Sequence, residues 1–92
     1  MTMNPDAPIA LRPLYRLQFE EAQQAYVLLF PEGMIQLNEA AAEVIKRCDG
    51  TKSANQIIGE LKVAFDGADL DADVLELLQV AHDRGWIHSV AG

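Results

Sequence analysis

The spacing of apolar residues changes at Asn38, and this change constrains the fold of the 92-residue chain more than any other feature. Before Asn38, apolar residues alternate with polar ones or run together over short stretches, which is typical of strands. After Asn38 they recur at the 3.6-residue spacing of helices. The sequence therefore predicts an α+β domain, in which a three-stranded antiparallel β-meander is followed by three α-helices that cover one face of the sheet.

The meander is predicted from three short segments. Residues 14–20 alternate between apolar and polar, whereas residues 25–30 are continuously apolar and are expected to be buried on both faces. A tight turn joins the second segment to the third, residues 34–37, because Pro31 presets φ at the second turn position and Gly33 tolerates a positive φ. This hairpin is the most strongly indicated turn in the chain.

The N-terminal part of the chain is predicted to be flexible. Residues 1–13 hold three of the four prolines and show no sustained period, so we expect an arm there and a single domain over residues 14–92. The connection 20–24 contains no Gly, Pro, Asn or Asp, so no residue enforces a tight reversal. We expect this connection to open and to exchange the first strand between chains, which makes the protein a monomer or a strand-swapped dimer.

Three helices are expected after the meander. Asn38 is a strong N-cap for the first, which Gly50 would end in a left-handed conformation. The pattern Ser53-Ala54-Asn55-Gln56 predicts a capping box at the start of the second, with Gly67 as its end. The third is expected to begin at Asp71 or Asp73, where Asp73 and Glu76 offer a second capping pair. It would end at Gly85, and its core-facing residues would be Val74, Leu78 and Ala81.

Charge excludes several classes of partner. The chain has 14 acidic and 7 basic residues, and its largest basic cluster is Lys46-Arg47, so no nucleic acid and no membrane surface is expected as a partner. Three helices with a hairpin also suggest a winged-helix-like shape, but residues 72–84, the candidate recognition helix, hold three acids against one arginine and would repel DNA. The charge of this helix therefore argues against the alternative of a winged-helix DNA-binding regulator.

Few residues suggest catalysis. The single cysteine, Cys48, cannot form an internal disulfide and indicates a reducing, cytoplasmic location. His82 and His88 lack the spacing of a zinc site, and the glycines form no phosphate-binding loop, so no metal and no catalytic residue is predicted. A small enzyme would have to use Cys48 with a histidine, although Cys48 lies on the apolar stripe of its helix.

The predicted third helix carries more apolar residues than one core-facing stripe can bury. Leu77 and Val80 lie to one side of that stripe, and Leu75 lies to the other. The third strand enters from a hairpin and leads into a helix, so one of its edges would be unpaired. An unpaired edge beside an apolar helix flank suits strand addition by an extended peptide. The pattern agrees equally well with the alternative that Leu77 and Val80 are isolated apolar residues on the surface.

The chain resembles the PqqD family of pyrroloquinoline quinone biosynthesis proteins over residues 14–87. The resemblance lies in several short motifs and their spacing, namely Leu28-Leu29-Phe30-Pro31-Glu32-Gly33, Leu37-Asn38, Ala41, Cys48-Asp49-Gly50, Asp73-Val74, Leu78 and Gly85-Trp86. It implies a peptide chaperone, a recognition element of ribosomal peptide modification. Such a protein binds the precursor peptide PqqA by β-strand addition and presents it to the radical SAM enzyme PqqE. A related recognition domain from another peptide-modifying pathway is the alternative.

The resemblance also implies which residues bind the peptide. The peptide would pair with the third strand and lie against the third helix, at Met34, Ile35, Gln36, Leu37, Leu75, Leu77, Leu78, Val80 and Ala81. The chain would need no cofactor and bind no quinone, because the chemistry belongs to the partner enzyme. Replacing Ile35 by proline is expected to remove binding by deleting a backbone donor.

Overall fold

The computed structural model describes residues 4–66 and 70–90. Within them, strands and helices alternate along the chain more than the sequence predicts. The elements are β1 (Pro8–Leu11), β2 (Arg16–Glu20), β3 (Ala25–Phe30), β4 (Gly33–Gln36), α1 (Glu39–Lys46), β5 (Asp49–Ser53), α2 (Ala54–Ala64), α3 (Asp71–Asp83) and β6 (Ile87–Ser89). The α+β class is confirmed.

The predicted meander is one of two antiparallel sheets, with strand order β2-β3-β4. Phe30 pairs with Gly33 across the two-residue turn Pro31-Glu32, and Gly33 has a φ of 153°, as the hairpin prediction requires. Within β3 only Val27 and Leu28 are fully buried, so its burial on both faces is limited to the strand's centre. The β2–β3 connection closes within the chain through a left-handed Gln24 (φ 51°). Strand exchange between two chains stays a prediction.

The prediction of a flexible arm is wrong for residues 8–11. These residues form β1, the central strand of the second sheet, whose order is β5-β1-β6. Ile9 is fully buried in the hydrophobic core, because strands on both sides hold its backbone and the helices cover its side chain. Residues 1–3 lie outside the described part of the chain.

Helix α1 begins as predicted but ends earlier. The Asn38 Oδ1 atom accepts a hydrogen bond from the Ala41 amide at 2.7 Å, which confirms the N-cap. The helix ends at Lys46 with Arg47 as its C-cap, so Gly50 does not terminate it. Instead Gly50 lies in β5 with a φ of 90°, beside Ala10 of β1 and close to a register shift in the β1–β5 pairing.

The other two helices follow the predicted boundaries closely. Ser53 and Gln56 form the predicted capping box of α2, which ends at Ala64; Gly67, its predicted end, lies outside the described residues. Helix α3 begins at Asp71, and no side chain caps it, so the pairing of Asp73 with Glu76 is not used. Its core residues Val74, Leu78 and Ala81 are buried as predicted.

Candidate functional site

Strand β4 offers an open edge. Among the residues that the structure describes, β4 pairs only with β3. The Leu37 amide donates to the Tyr26 carbonyl oxygen at 2.9 Å, so these opposed residues form a hydrogen-bonded pair in the register of β3 and β4. Such pairs alternate along an antiparallel ladder, so the backbone groups of Ile35 also face β3. Those of Met34 and Gln36 face away from the sheet, free to pair with another strand.

This geometry corrects the expectation for Ile35. Its amide is directed at Leu28 of β3 and therefore belongs to the hairpin. A proline at this position would break the β3–β4 ladder and destabilise the domain, so it would not test the edge itself. The alternation of side chains could not reveal this, because it does not say which neighbour a strand pairs with.

The four predicted residues of the third strand divide between the two faces of the sheet. Leu37 is buried and Ile35 is half-buried against the core, so their side chains lie on the helix side. Met34 is 52% exposed, and Gln36 is also exposed, so their side chains lie on the outer face. A peptide strand beside β4 would accordingly place alternate side chains toward the helices.

The five predicted residues of α3 fall into three groups. Leu78 and Ala81 are fully buried, so they belong to the core and present no surface. Leu75 is 40% exposed on one flank of the helix. Val80, 37% exposed, and the half-buried Leu77 lie on the other flank.

The flank with Leu77 lines an apolar pocket of about 540 Å³ at the junction of the three helices. Its floor is built from the buried side chains of Val44, Leu61 and Val74, one from each helix. Leu70 and Leu77 form its half-buried walls, and Ala40 and Phe65 are exposed at its mouth. Of the floor residues, the sequence pattern placed Val74 toward the core and did not indicate a pocket. Phe65, at the end of α2, is 43% exposed in the structure, and its place in the sequence does not indicate a surface role.

Two carboxylates, Glu39 and Asp73, also line the mouth of this pocket. Neither of them has an ion-pair partner among the described residues, because the bases of the neighbouring helices pair elsewhere. Arg47 contacts Glu43 at 2.9 Å, and Lys62 contacts Asp71 at 3.1 Å. The pocket therefore combines an apolar floor with an acidic mouth that forms no ion pair with a base of the described residues.

The thiol of Cys48 is unsuited to nucleophilic catalysis. Cys48 is buried, and this burial, together with the neighbouring charge of Asp49, raises the pKa of its thiol to about 12. A thiol must ionise to act as a nucleophile, so Cys48 stays protonated at neutral pH. Among the described residues, no three His, Cys, Asp or Glu side chains lie close enough together to hold a metal ion.

We expect Cys48→Ala to lower the free energy of unfolding by about 1–2 kcal/mol, through a small cavity, without changing peptide affinity. An exposed thiol in the unfolded chain has a pKa of roughly 8.5, and below that pH the protonated thiol makes its full contribution to stability. Its contribution is lost as the pH rises toward 12. Urea titrations at pH 7, 9 and 11 should thus show a larger alkaline loss for the parent protein than for Cys48→Ala. If the variant folded normally yet lost peptide binding, the thiol would have a functional role.

No helix within the described ranges is both long and apolar enough to cross a membrane.

Known proteins resemble this chain in sequence and in structure. Residues 25–87 match the family model of coenzyme PQQ synthesis protein D, PqqD. The chain is 44% identical to the PqqA binding protein of Methylococcus capsulatus over 98% of this chain and 97% of that protein. It is 46% identical to the PqqA binding protein of Acinetobacter baylyi over 79% and 75% of the two chains.

Two solved structures share the fold. One is the solution NMR structure of the PqqD part of Methylobacterium extorquens PqqCD, a functional and stand-alone RiPP recognition element (TM-score 0.77, 29% identity, 95% of each chain). The other is the crystal structure of PqqD from Xanthomonas campestris (TM-score 0.52, 40% identity, covering 90% of this chain and 94% of that one). The match of the family model over more than half of the chain, together with these relatives, shows that the chain belongs to the PqqD family.

Proposed function

We propose that this protein is a peptide chaperone that binds the precursor peptide PqqA by strand addition to β4 and presents it to the radical SAM enzyme PqqE. The observation that carries the proposal is the open edge of β4, where the backbone groups of Met34 and Gln36 face away from the sheet. Strand addition uses such unpaired backbone groups for affinity and adjacent side-chain pockets for specificity.

The family relationship supports PqqA as the peptide. The relatives from Methylococcus capsulatus and Acinetobacter baylyi are named for PqqA binding, and they are 44% and 46% identical to this chain. The Methylobacterium extorquens domain, which shares the fold, acts as a recognition element on its own. A chain of this size and architecture is therefore sufficient for recognition.

The peptide would lie against the flank of α3 that carries Leu77 and Val80. Leu77 lines the helix-junction pocket together with Glu39 and Ala40, the first two residues of α1. Helix α1 begins three residues after β4 ends at Gln36, so the pocket that Leu77 lines lies near the end of β4. Leu75, on the opposite flank, would be outside the groove.

The chemistry would belong to the partner enzyme. The thiol of Cys48 is buried and protonated, and His82 and His88 lie in no cluster of metal-binding side chains among the described residues. The protein would act as a binding module in the cytoplasm, where an unpaired cysteine stays reduced.

A titration of synthetic PqqA into ¹⁵N-labelled protein tests the proposal. We expect saturable amide shifts at Met34 and Gln36 and along the Leu77–Val80 flank, together with slower hydrogen exchange of the two β4 amides. Leu75 serves as the internal control, because it lies on α3 but outside the proposed groove. Absent shifts, or shifts confined to the β5-β1-β6 sheet, would overturn the proposal.

A further inference from the structure

We infer that the pocket at the helix junction is a side-chain subsite that takes a large apolar residue adjacent to a lysine or arginine. The inference deepens the proposed function and rests on it, because the occupant is a segment of the bound peptide. It names the residue pair in that peptide which this protein would select.

The floor of the pocket selects an apolar side chain. Val44, Leu61 and Val74 expose only carbon atoms of their side chains to it, and each comes from a different helix. A polar side chain placed there would lose its water and find no hydrogen-bond partner on the floor, which carries a free-energy cost. Phe65 stands exposed at the mouth, and an inserted apolar side chain would shield its ring from water.

The mouth selects a positive charge next to that side chain. Glu39 of α1 and Asp73 of α3 both line the pocket, and neither forms an ion pair with a base of the described chain. Their negative charges would attract a lysine or arginine and repel an acidic residue. The bases of the surrounding helices do not compete, because Lys62 and Arg47 are engaged with Asp71 and Glu43.

The subsite adjoins the proposed peptide groove without being the edge itself. Leu77 belongs both to the flank of α3 that the proposed function assigns to the groove and to the pocket lining. A peptide that runs along β4 toward Leu37 would continue past the first turn of α1, where Glu39 and Ala40 line the mouth. The apolar and basic pair would therefore lie at one end of the paired segment.

Three short peptides test separately the requirement for an apolar side chain and the requirement for a neighbouring positive charge. Ac-Phe-Lys-NH₂, Ac-Phe-Glu-NH₂ and Ac-Ser-Lys-NH₂ are titrated to millimolar concentration into the ¹⁵N-labelled full chain. We expect Ac-Phe-Lys-NH₂ to shift the amides of Ala40, Val44 and Leu77 in a saturable manner, with at least fivefold tighter binding than either other probe. Equal binding of the Lys and Glu probes, or shifts elsewhere only, would overturn the inference.

Variants at the mouth test separately whether binding requires the two carboxylates and whether it requires an open entrance to the pocket. Glu39→Gln and Asp73→Asn should each weaken Ac-Phe-Lys-NH₂ binding roughly two- to fivefold, less at high salt, and Glu76→Gln, on α3 outside the pocket lining, should not. Ala40→Leu should narrow the mouth and reduce binding, whereas Ala72→Leu, also on an exposed helix face, should not. If the paired controls behaved like the pocket variants, the shifts would not report this pocket.

Different results would contradict the proposed function and the proposed subsite. If PqqA shifts the β4 amides but Glu39→Gln, Asp73→Asn and Ala40→Leu leave its affinity unchanged, the subsite is wrong and strand addition stands. If Ac-Phe-Lys-NH₂ binds as expected but PqqA does not bind, the pocket stands and the proposed function is wrong.

Discussion

Gln36→Pro is expected to reduce the affinity for PqqA by at least tenfold while leaving the domain folded. The Gln36 amide faces away from the sheet, so proline removes a donor that a bound strand would use and places its ring against the approaching backbone. One lost hydrogen bond in an interface that becomes buried costs about 1–3 kcal/mol, and the ring adds to that loss. Proline also favours an extended conformation of the preceding residue, which Ile35 already has in β4.

Two matched variants separate the backbone from the side chain and from the fold. Gln36→Ala keeps the amide, so its affinity should stay within about threefold of the parent. Ile35→Pro deletes a donor that faces β3 and leaves its acceptor unpaired, so it should instead destabilise the domain by about 1–3 kcal/mol. Isothermal titration calorimetry with PqqA, with urea denaturation of each variant, measures both effects. Unchanged affinity in a folded Gln36→Pro would show that the peptide does not pair with this edge.

The hairpin that positions the open edge was predictable from local sequence. Pro31 and Gly33 fix the turn, and the apolar run before it supplies a buried strand for β4 to pair with. The direction of the backbone groups was not predictable, since side-chain alternation shows which face a residue occupies and not toward which neighbour its amide points. That information came from the hydrogen bond between Leu37 and Tyr26.

The second sheet escaped prediction for a different physical reason. Strands β1, β5 and β6 have only three to five residues, and β5 reads Asp-Gly-Thr-Lys-Ser, which lacks apolar alternation. Such strands depend on pairing between distant parts of the chain: Ile9 of β1 faces Lys52 of β5 and Ser89 of β6. The prolines near the N-terminus suggested flexibility. Pairing with β5 and β6 and the burial of Ile9 nevertheless hold β1 in place.

The helix-junction pocket could not be predicted from the sequence either. The periodicity correctly placed Val74 toward the core, but whether Phe65 completes that core or borders a pocket depends on how α2 and α3 are placed relative to each other. The contact of Lys62 with Asp71 joins the end of α2 to the start of α3. Residue spacing within one helix carries no information about such placement.

Ile9→Asp is expected to unfold the protein, although residues 1–13 look like a dispensable arm. Ile9 is fully buried at the centre of the β5-β1-β6 sheet, so the substitution would place an unpaired carboxylate in the hydrophobic core. This penalty is several kcal/mol, comparable with the total stability of roughly 5–14 kcal/mol expected for a domain of this length. Deleting residues 1–13 should have the same result, since in the described structure β5 and β6 pair only with β1.

Circular dichroism and amide spectra of Ile9→Asp, of the deletion and of two control variants decide this prediction. Ile9→Val keeps an apolar side chain and should cost only about 0.5–1.5 kcal/mol, with PqqA affinity unchanged. Asp6→Ala removes an exposed hydrogen bond to Asn55 in the same segment and should cost less still. Collapsed amide dispersion in Ile9→Asp and in the deletion, but not in the two controls, would establish that β1 holds the domain together. A folded deletion of residues 1–13 that still bound PqqA would show that this strand is dispensable, because the β2-β3-β4 sheet and the helices would then be stable and functional without it.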